Sequence, residues 1–217
     1  VSFSISASFC FNAKKLIKHC GSAEAVFRED ARKLKMIPNI GMGIINALKD
    51  SSVIHRAEKE LNFVRDNNIS LLYYKEDGFP ERMRNCYDSP VLCYFMGNCN
   101  INAKRVLSIV GTRKASKYGI FMCSEIIEAL REMDVLIVSG LAYGIDVCSH
   151  LSALDKGMNT IGVLGHGLDR IYPSAHHKVA VRMIANGGLI TDFPSSTKPV
   201  KENFPKRNRI IAALSDG

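Results

Sequence analysis

The 217-residue sequence has no tryptophan and no apolar run approaching the roughly 18 residues needed to cross a bilayer. Its seven cysteines are scattered, and no Cys-X-X-Cys pair is present, so neither a zinc ribbon nor a thioredoxin-like redox pair is predicted. The apolar residues 1–11 follow no charged segment and precede no cleavage site, which argues against a signal peptide. We expect a soluble cytoplasmic protein with free thiols, no metal and no cofactor.

The composition is that of a globular protein, with 47% hydrophobic and 23% charged residues. The formal net charge is +8, and residues 198–209 contain five basic side chains against one glutamate. Phe204 lies within this basic stretch. Cations beside an exposed ring are suited to a phosphate backbone and an unpaired base, although a basic stretch is also common on solvated surfaces.

Two kinds of periodicity divide the chain. Helical spacing extends over residues 12–67, and two strand-like runs follow at 69–74 and 91–96. Within the helical part, residues 37–43 resemble the hairpin of helix-hairpin-helix DNA-binding modules, or they connect two packed helices. The sequence thus predicts three parts, which are a helical module at 1–68, connecting strands and linker at 69–102, and an α/β domain at 103–217.

The α/β domain alternates apolar strands with helices. The predicted strands are at 105–110, 135–138, 160–164 and 189–193, and the predicted helices at 118–133, 145–156, 178–186 and 206–214. Continuous apolar strands separated by helices are typical of a parallel sheet covered on both faces. Such sheets bind ligands at the carboxyl ends of their strands, where three of these four strands are followed by glycine-containing turns.

The turn after the first of these strands is Gly111-Thr112-Arg113. Glycine permits close approach of an anion, Thr112 can donate a hydrogen bond, and Arg113 offers a two-pronged donor suited to phosphate. Alternatively, Arg113 pairs with a buried carboxylate. The dinucleotide-binding G-x-G-x-x-G pattern is missing from this turn, and no phosphate-binding Walker lysine motif occurs in the chain.

The loop after the second strand contains Ser139 and Gly140 and leads into a helix that starts near Asp146. Several backbone amides are expected to point outward there. Asp146 caps the helix, orients Arg113 or Ser139, or has no ligand-related role. Ser139, Asp146 and His150 could be combined into a nucleophile-base-acid set, but no G-x-S-x-G elbow is present and catalysis is not predicted.

Four motifs in order carry a family resemblance. Gly111-Thr112-Arg113 and residues 139–146, 165–173 and 204–212 together closely resemble the bacterial DNA-processing protein A family (DprA, also called Smf). The resemblance implies an extended Rossmann-like, doubly wound and mainly parallel α/β sheet, preceded by a small helical module. The family pattern would continue beyond Gly217 with further sheet.

The function implied by this resemblance is non-catalytic. Family members bind single-stranded DNA during natural transformation, protect it and help to load the RecA recombinase, and their core domain forms a homodimer. The resemblance assigns DNA binding to two groups of positions and a supporting role to Asp146. The positions are Gly111, Thr112, Arg113, Ser139 and Gly140 in the turns, and Lys201, Phe204, Arg207, Asn208 and Arg209 in the basic stretch.

Some alternatives remain at this point. Of Arg207 and Arg209, one is expected to face DNA and the other to pair with a carboxylate such as Asp146 or Asp192. The same turns could hold the phosphate of a nucleotide or nucleoside phosphate in a Rossmann-like enzyme. The helical module could also be the main interaction surface, with the α/β domain as its scaffold.

Overall fold

The structure, a computed structural model, describes residues 7–217, so the first six residues of the apolar opening lie outside the described residues. The chain consists of two compact units, one extending to Asn67 and the other from Asn68 to Gly217. We call them the helical unit and the sheet unit.

The described part of the helical unit consists of five helices of 5–16 residues, and three of them begin with a capping side chain. Side chains of Ser22, Asp30 and Asp50 accept a backbone N–H at the start of the second, third and fifth helices. The helices are α1 (Ala7–Cys20), α2 (Ala23–Arg28), α3 (Ala31–Lys35), α4 (Met42–Lys49) and α5 (Ser51–Asp66). Residues 36–41 connect α3 to α4, so the segment 37–43 includes most of this connection and the start of α4, and Ile37 and Ile40 are buried. The resemblance of this segment to a DNA-binding hairpin stays a prediction.

Residues 68–217 contain a six-stranded sheet. The strands are β1 (Ser70–Tyr73), β2 (Leu92–Gly97), β3 (Arg105–Ser108), β4 (Val135–Gly140), β5 (Thr160–Val163) and β6 (Gly187–Thr191). Their order in the sheet is β1-β2-β6-β5-β4-β3. Neighbours from β3 to β6 are parallel, whereas β2 pairs antiparallel with both β6 and β1. The residues expected to connect two modules therefore supply two strands of this same sheet.

Helices cover both faces of the sheet, as the apolar strands predict. They are α6 (Glu81–Arg84), α7 (Lys117–Leu130), α8 (Ile145–Asp155), α9 (His177–Ala185) and α10 (Asn203–Leu214). Because side chains alternate along a strand, Leu136 and Val138 of β4 belong to the core under α10, while Val135 and Ile137 belong to the core under α7 and α8. The predicted α/β fold class is confirmed.

Three further observations concern residues 7–217. None of the helices in this range has both the length and the apolar character required to cross a bilayer. All seven cysteines are free thiols. Histidine, cysteine, aspartate and glutamate side chains do not gather there in any group of three or more that could hold a metal ion.

Candidate functional site

A pocket lies at the carboxyl ends of the parallel strands, where the turns after β3, β4 and β5 meet the start of α10. Its lining comes from all four segments, and consists of Arg113, Leu141, Ala142, Tyr143, Leu164, Gly165, His166, Tyr172, Pro173, Phe204 and Arg207. This is the edge at which a parallel α/β sheet binds ligands. The topology thus brings together motifs that lie far apart in the sequence.

Arg113 and Phe204 form the outer part of the pocket. The guanidinium carbon of Arg113 lies 5.6 Å from the centroid of the Phe204 ring, a cation–π contact. Arg113 is exposed, and Phe204 is partly exposed at the start of α10. A cation and an aromatic ring are therefore presented together at the mouth of the pocket.

Two tyrosines that the sequence did not indicate as site residues extend this aromatic surface. The Tyr172 ring lies 5.9 Å from the Phe204 ring, with an angle of 36° between their planes. The Tyr143 ring meets the buried His176 ring edge-on at 4.8 Å. The signal for both in the sequence is their position in the glycine-containing turns after β5 and β4.

Arg207 lines the inner part of the pocket, and only 5% of its surface is exposed. Its guanidinium donates to the Val163 carbonyl, its Nε donates to Oδ1 of Asn208 at 3.1 Å, and Nη2 lies 3.9 Å from Oδ2 of Asp146. Burial lowers the pKa of Arg207, while the Asp146 carboxylate opposes this shift. These contacts hold Arg207 within the fold.

Asp146 connects the turns after β3 and β4. Its buried carboxylate accepts hydrogen bonds from the backbone N–H of Ala142 and of Gly111 and lies beside the Ser139 hydroxyl. Burial raises the pKa of Asp146, and Arg207 acts in the opposite direction. Two backbone amides that a phosphate could have used are therefore already bound to a carboxylate of the protein.

Glycine is required at two positions around this pair. A Cβ atom on Gly140 would overlap the guanidinium of Arg207 and the carboxylate of Asp146. Gly144 has φ +82°, and a Cβ atom there would overlap the Thr112 carbonyl. Both glycines thus permit the close approach of segments instead of forming an open loop for an anion.

His150 contacts the last residue of β4 from the interior of the protein. Its Nε2 lies 2.6 Å from the Gly140 carbonyl, so that nitrogen carries the hydrogen and donates it. In the neutral ring, Nδ1 accepts from the Thr160 hydroxyl at 2.7 Å. Burial lowers the pKa of His150 to about 4, which keeps the ring neutral at pH 7.

Ser139, Asp146 and His150 do not form a nucleophile-base-acid set. The Ser139 hydroxyl is buried and donates to the Ile109 carbonyl at 2.5 Å, while both nitrogens of His150 are engaged elsewhere. A nucleophile must lie within hydrogen-bond reach of its base. Ser139 and His150 therefore support the turns of the site from inside the fold.

Arg209 pairs with the buried Asp192 and also donates to the Asp88 carbonyl. The expectation that one of the two α10 arginines faces outward needs correction, because Arg207 and Arg209 each meet a carboxylate from another element. Burial raises the pKa of Asp192, while Arg209 opposes that shift. Neither arginine is as exposed to solvent as Arg113.

The remaining candidates lie at the surface. Lys201, just before α10, is exposed, as are Asn208 within that helix and Gly111 and Thr112 in the first turn. The Thr112 hydroxyl accepts the backbone N–H of Lys114 at 3.2 Å. The exposed and partly exposed candidates, which include Arg113 and Phe204, therefore come from two segments, the turn after β3 and the region of α10. The buried candidates lie in the interior of the site.

Comparison with known proteins places the chain in a family. Residues 70–217 match the family model of DNA recombination-mediator protein A. The DNA processing protein DprA of Streptococcus pneumoniae is 37% identical over 142 residues, which are 65% of this chain and 50% of that protein. The chain spans about half the length of the curated relatives it matches. The family resemblance predicted from the four motifs is confirmed.

Two solved structures are similar to this one. The X-ray structure of DprA from Streptococcus pneumoniae superimposes with a TM-score of 0.78 at 27% identity, covering 98% of this chain and 71% of that one. A structure of DNA processing protein A from Helicobacter pylori, described for its single-stranded DNA binding mode, gives a TM-score of 0.61 at 31% identity. It covers 68% of this chain and 66% of the other.

Proposed function

Because this chain belongs to the DNA recombination-mediator protein A family, we propose that it binds single-stranded DNA at the pocket described above. Arg113 and Lys201 contact the phosphate backbone, with Gly111, Thr112 and Asn208 beside them, and Phe204 adds an aromatic surface. Ser139, Gly140, Asp146, Arg207 and Arg209 support this surface from within the fold.

The observation that carries the proposal is the exposed Arg113 guanidinium against the Phe204 ring at the strand ends. Surfaces that bind single strands without sequence preference combine cations for the backbone with rings for the bases. The Helicobacter pylori relative is described as binding single-stranded DNA, which supports the same ligand here.

The hydrogen bonds between Asp146 and the backbone amides of the turns favour DNA binding over an enzyme that acts on a nucleotide. Asp146 takes up the N–H groups of Gly111 and Ala142, so the turns do not offer these donors to a nucleotide phosphate. The described residues also lack a hydrogen bond between Ser139 and His150. We therefore expect DNA binding without turnover.

The cellular role proposed is protection of incoming single-stranded DNA and loading of RecA during transformation and recombination. Homodimerisation and a cytoplasmic location belong to the same proposal. Family membership supports this role, and the basic stretch around Lys201 is consistent with a nucleic-acid partner.

Fluorescence anisotropy with a labelled oligo-dT and a matching duplex tests the binding site. We expect Arg113→Ala to weaken single-strand binding about tenfold or more, because a charge-assisted contact is lost, and to reduce its salt dependence. Arg131→Ala is the matched control, since it removes another exposed arginine, beyond the carboxyl end of α7. Equal affinities for all three proteins would overturn the assignment of Arg113.

A nucleotide assay on the same preparation tests the enzyme alternative. We expect no release of phosphate or base from nucleotides or nucleoside phosphates. Turnover that is lost in Arg113→Ala would instead favour the enzyme.

A further inference from the structure

The three aromatic rings of the pocket differ in how much of their surface is already covered. Phe204 contacts the Arg113 guanidinium and the Tyr172 ring. Tyr172 is 48% exposed and Tyr143 is 52% exposed. The open aromatic surface therefore belongs mainly to the two tyrosines, whereas Phe204 is only partly exposed and contacts both Arg113 and Tyr172.

Both tyrosines are held in place by contacts within the protein. Tyr143 packs edge-on against His176, whose Nδ1 donates to the Leu141 carbonyl at 3.0 Å. Tyr172 packs against the Phe204 ring. Because these rings are positioned before a ligand arrives, binding to them loses less side-chain entropy than binding to mobile side chains.

We propose that Tyr143 and Tyr172 are base-stacking residues of this site, each accepting an unpaired base, while Phe204 positions Arg113 toward the backbone. This inference rests on the proposed function and deepens it. Base stacking on an aromatic ring tolerates any sequence, since every base has a π-face.

The inference also explains how a basic surface would select single strands. Phosphate contacts alone bind duplex and single strands alike. In a duplex the bases are stacked on one another and unavailable to a protein ring. Two exposed rings beside Arg113 therefore add a contribution that only unpaired bases can supply.

The test uses the 217-residue chain with two oligonucleotides of equal length, one oligo-dT and one carrying abasic residues. A third oligonucleotide contains 2-aminopurine, whose fluorescence is quenched when it stacks. The variants are Tyr143→Ala and Tyr172→Ala, with Tyr143→Phe and Tyr172→Phe to keep the rings. Phe121→Ala is the matched control, because it removes an exposed ring of α7 outside the pocket.

We expect the wild type to bind oligo-dT more tightly than the abasic oligonucleotide and to quench 2-aminopurine. Each alanine variant should lose at least about fivefold in oligo-dT affinity, approach its own affinity for the abasic oligonucleotide, and quench less. The phenylalanine variants and Phe121→Ala should behave as wild type. An oligo-dT affinity equal to that of wild type also shows that each of these three variants is folded.

The outcomes separate the inference from the function on which it rests. If the wild type binds oligo-dT and both alanine variants match it in affinity and quenching, the stacking role is overturned while DNA binding stands. If the wild type binds neither oligonucleotide, the proposed function fails, and the inference fails with it. Equal loss in the phenylalanine and alanine variants would also overturn stacking, because the ring would then not be the relevant group.

Discussion

The site has two layers, and arginine occurs in both in different surroundings. In the outer layer, formed by Arg113, Tyr143, Tyr172 and Phe204, the charged group and the tyrosine rings are open to solvent. In the inner layer, formed by Gly140, Asp146, His150 and Arg207, every polar group is buried and has a partner in the protein. Burial and available partners, more than residue type, separate a ligand contact from a structural contact.

The two layers differ in how a substitution affects stability. A buried ion pair adds little net stability, because removing both charges from water offsets their attraction, but leaving one partner alone is costly. An exposed arginine is solvated by water, so its stability does not depend on a partner in the protein. The inner layer should therefore be sensitive to substitution in its stability, and the outer layer in its ligand affinity.

The largest expected effect is that of Asp146→Ala. It leaves the Arg207 charge buried and removes the acceptor for the N–H groups of Gly111 and Ala142. We expect a loss of about 3–5 kcal/mol in the free energy of unfolding, measured with urea. Glu128→Ala, which breaks the exposed pair with Lys156, should cause no measurable loss. Similar unfolding curves for the two variants would contradict the distinction between layers.

Gly140→Ala should have the next largest effect. The added methyl group would overlap Arg207 and Asp146, and forcing such a group into a packed site costs about 1–3 kcal/mol. Thermal unfolding measures the change. Gly43→Ala is the control, because its Cβ would meet open space in α4. A Gly140→Ala protein as stable as wild type would mean that the inner layer is loosely packed.

His150 should make stability depend on pH. Its pKa is about 4 in the folded chain and 6.5 at its ordinary value, so between these pH values the unfolded chain binds the proton and the folded chain does not. The stability present above pH 6.5 is therefore lost as the pH falls toward 4. From pH 6.5 to 5.5, wild type should lose about 1 kcal/mol more than His150→Gln. Parallel urea titrations would show whether the two proteins instead respond identically.

The smallest expected effect on stability is that of Arg113→Ala. The side chain is exposed and its described contact is with the Phe204 ring, so unfolding free energy should change by less than about 0.5 kcal/mol. The same variant should lose single-strand affinity, which places Arg113 in the outer layer. A large loss of stability would instead assign it to the inner layer.

Much of the fold could be predicted because its strands are continuous apolar runs. The last helix starts at Asn203, earlier than the expected residue 206, and contains Pro205 in its first turn. Proline is tolerated there, since first-turn N–H groups have no partner within the helix. The strand order and the antiparallel addition of β1 and β2 depend on pairing between distant segments, which periodicity does not contain.

The site was harder to predict than the fold. Arg113 follows an apolar strand, and its place in the Gly111-Thr112-Arg113 turn suggested a phosphate donor, with pairing to a buried carboxylate as the alternative. For Arg207 and Arg209 the deciding facts are Asp146 of α8 and Asp192 after β6, which approach only in the folded chain. For Tyr143 and Tyr172 the sequence does not distinguish an exposed ring from a packed one, because their exposure depends on how the turns after β4 and β5 meet.

The contact between Arg113 and Phe204 also bears on how the protein folds. These residues stand on either side of β4, β5 and β6 in the sequence, so their meeting is a contact of high sequence separation. Such contacts form after local structure, because a long loop must first be closed. We therefore expect DNA-binding activity to appear among the last events of refolding, so that recovered binding reports that β4, β5 and β6 have formed.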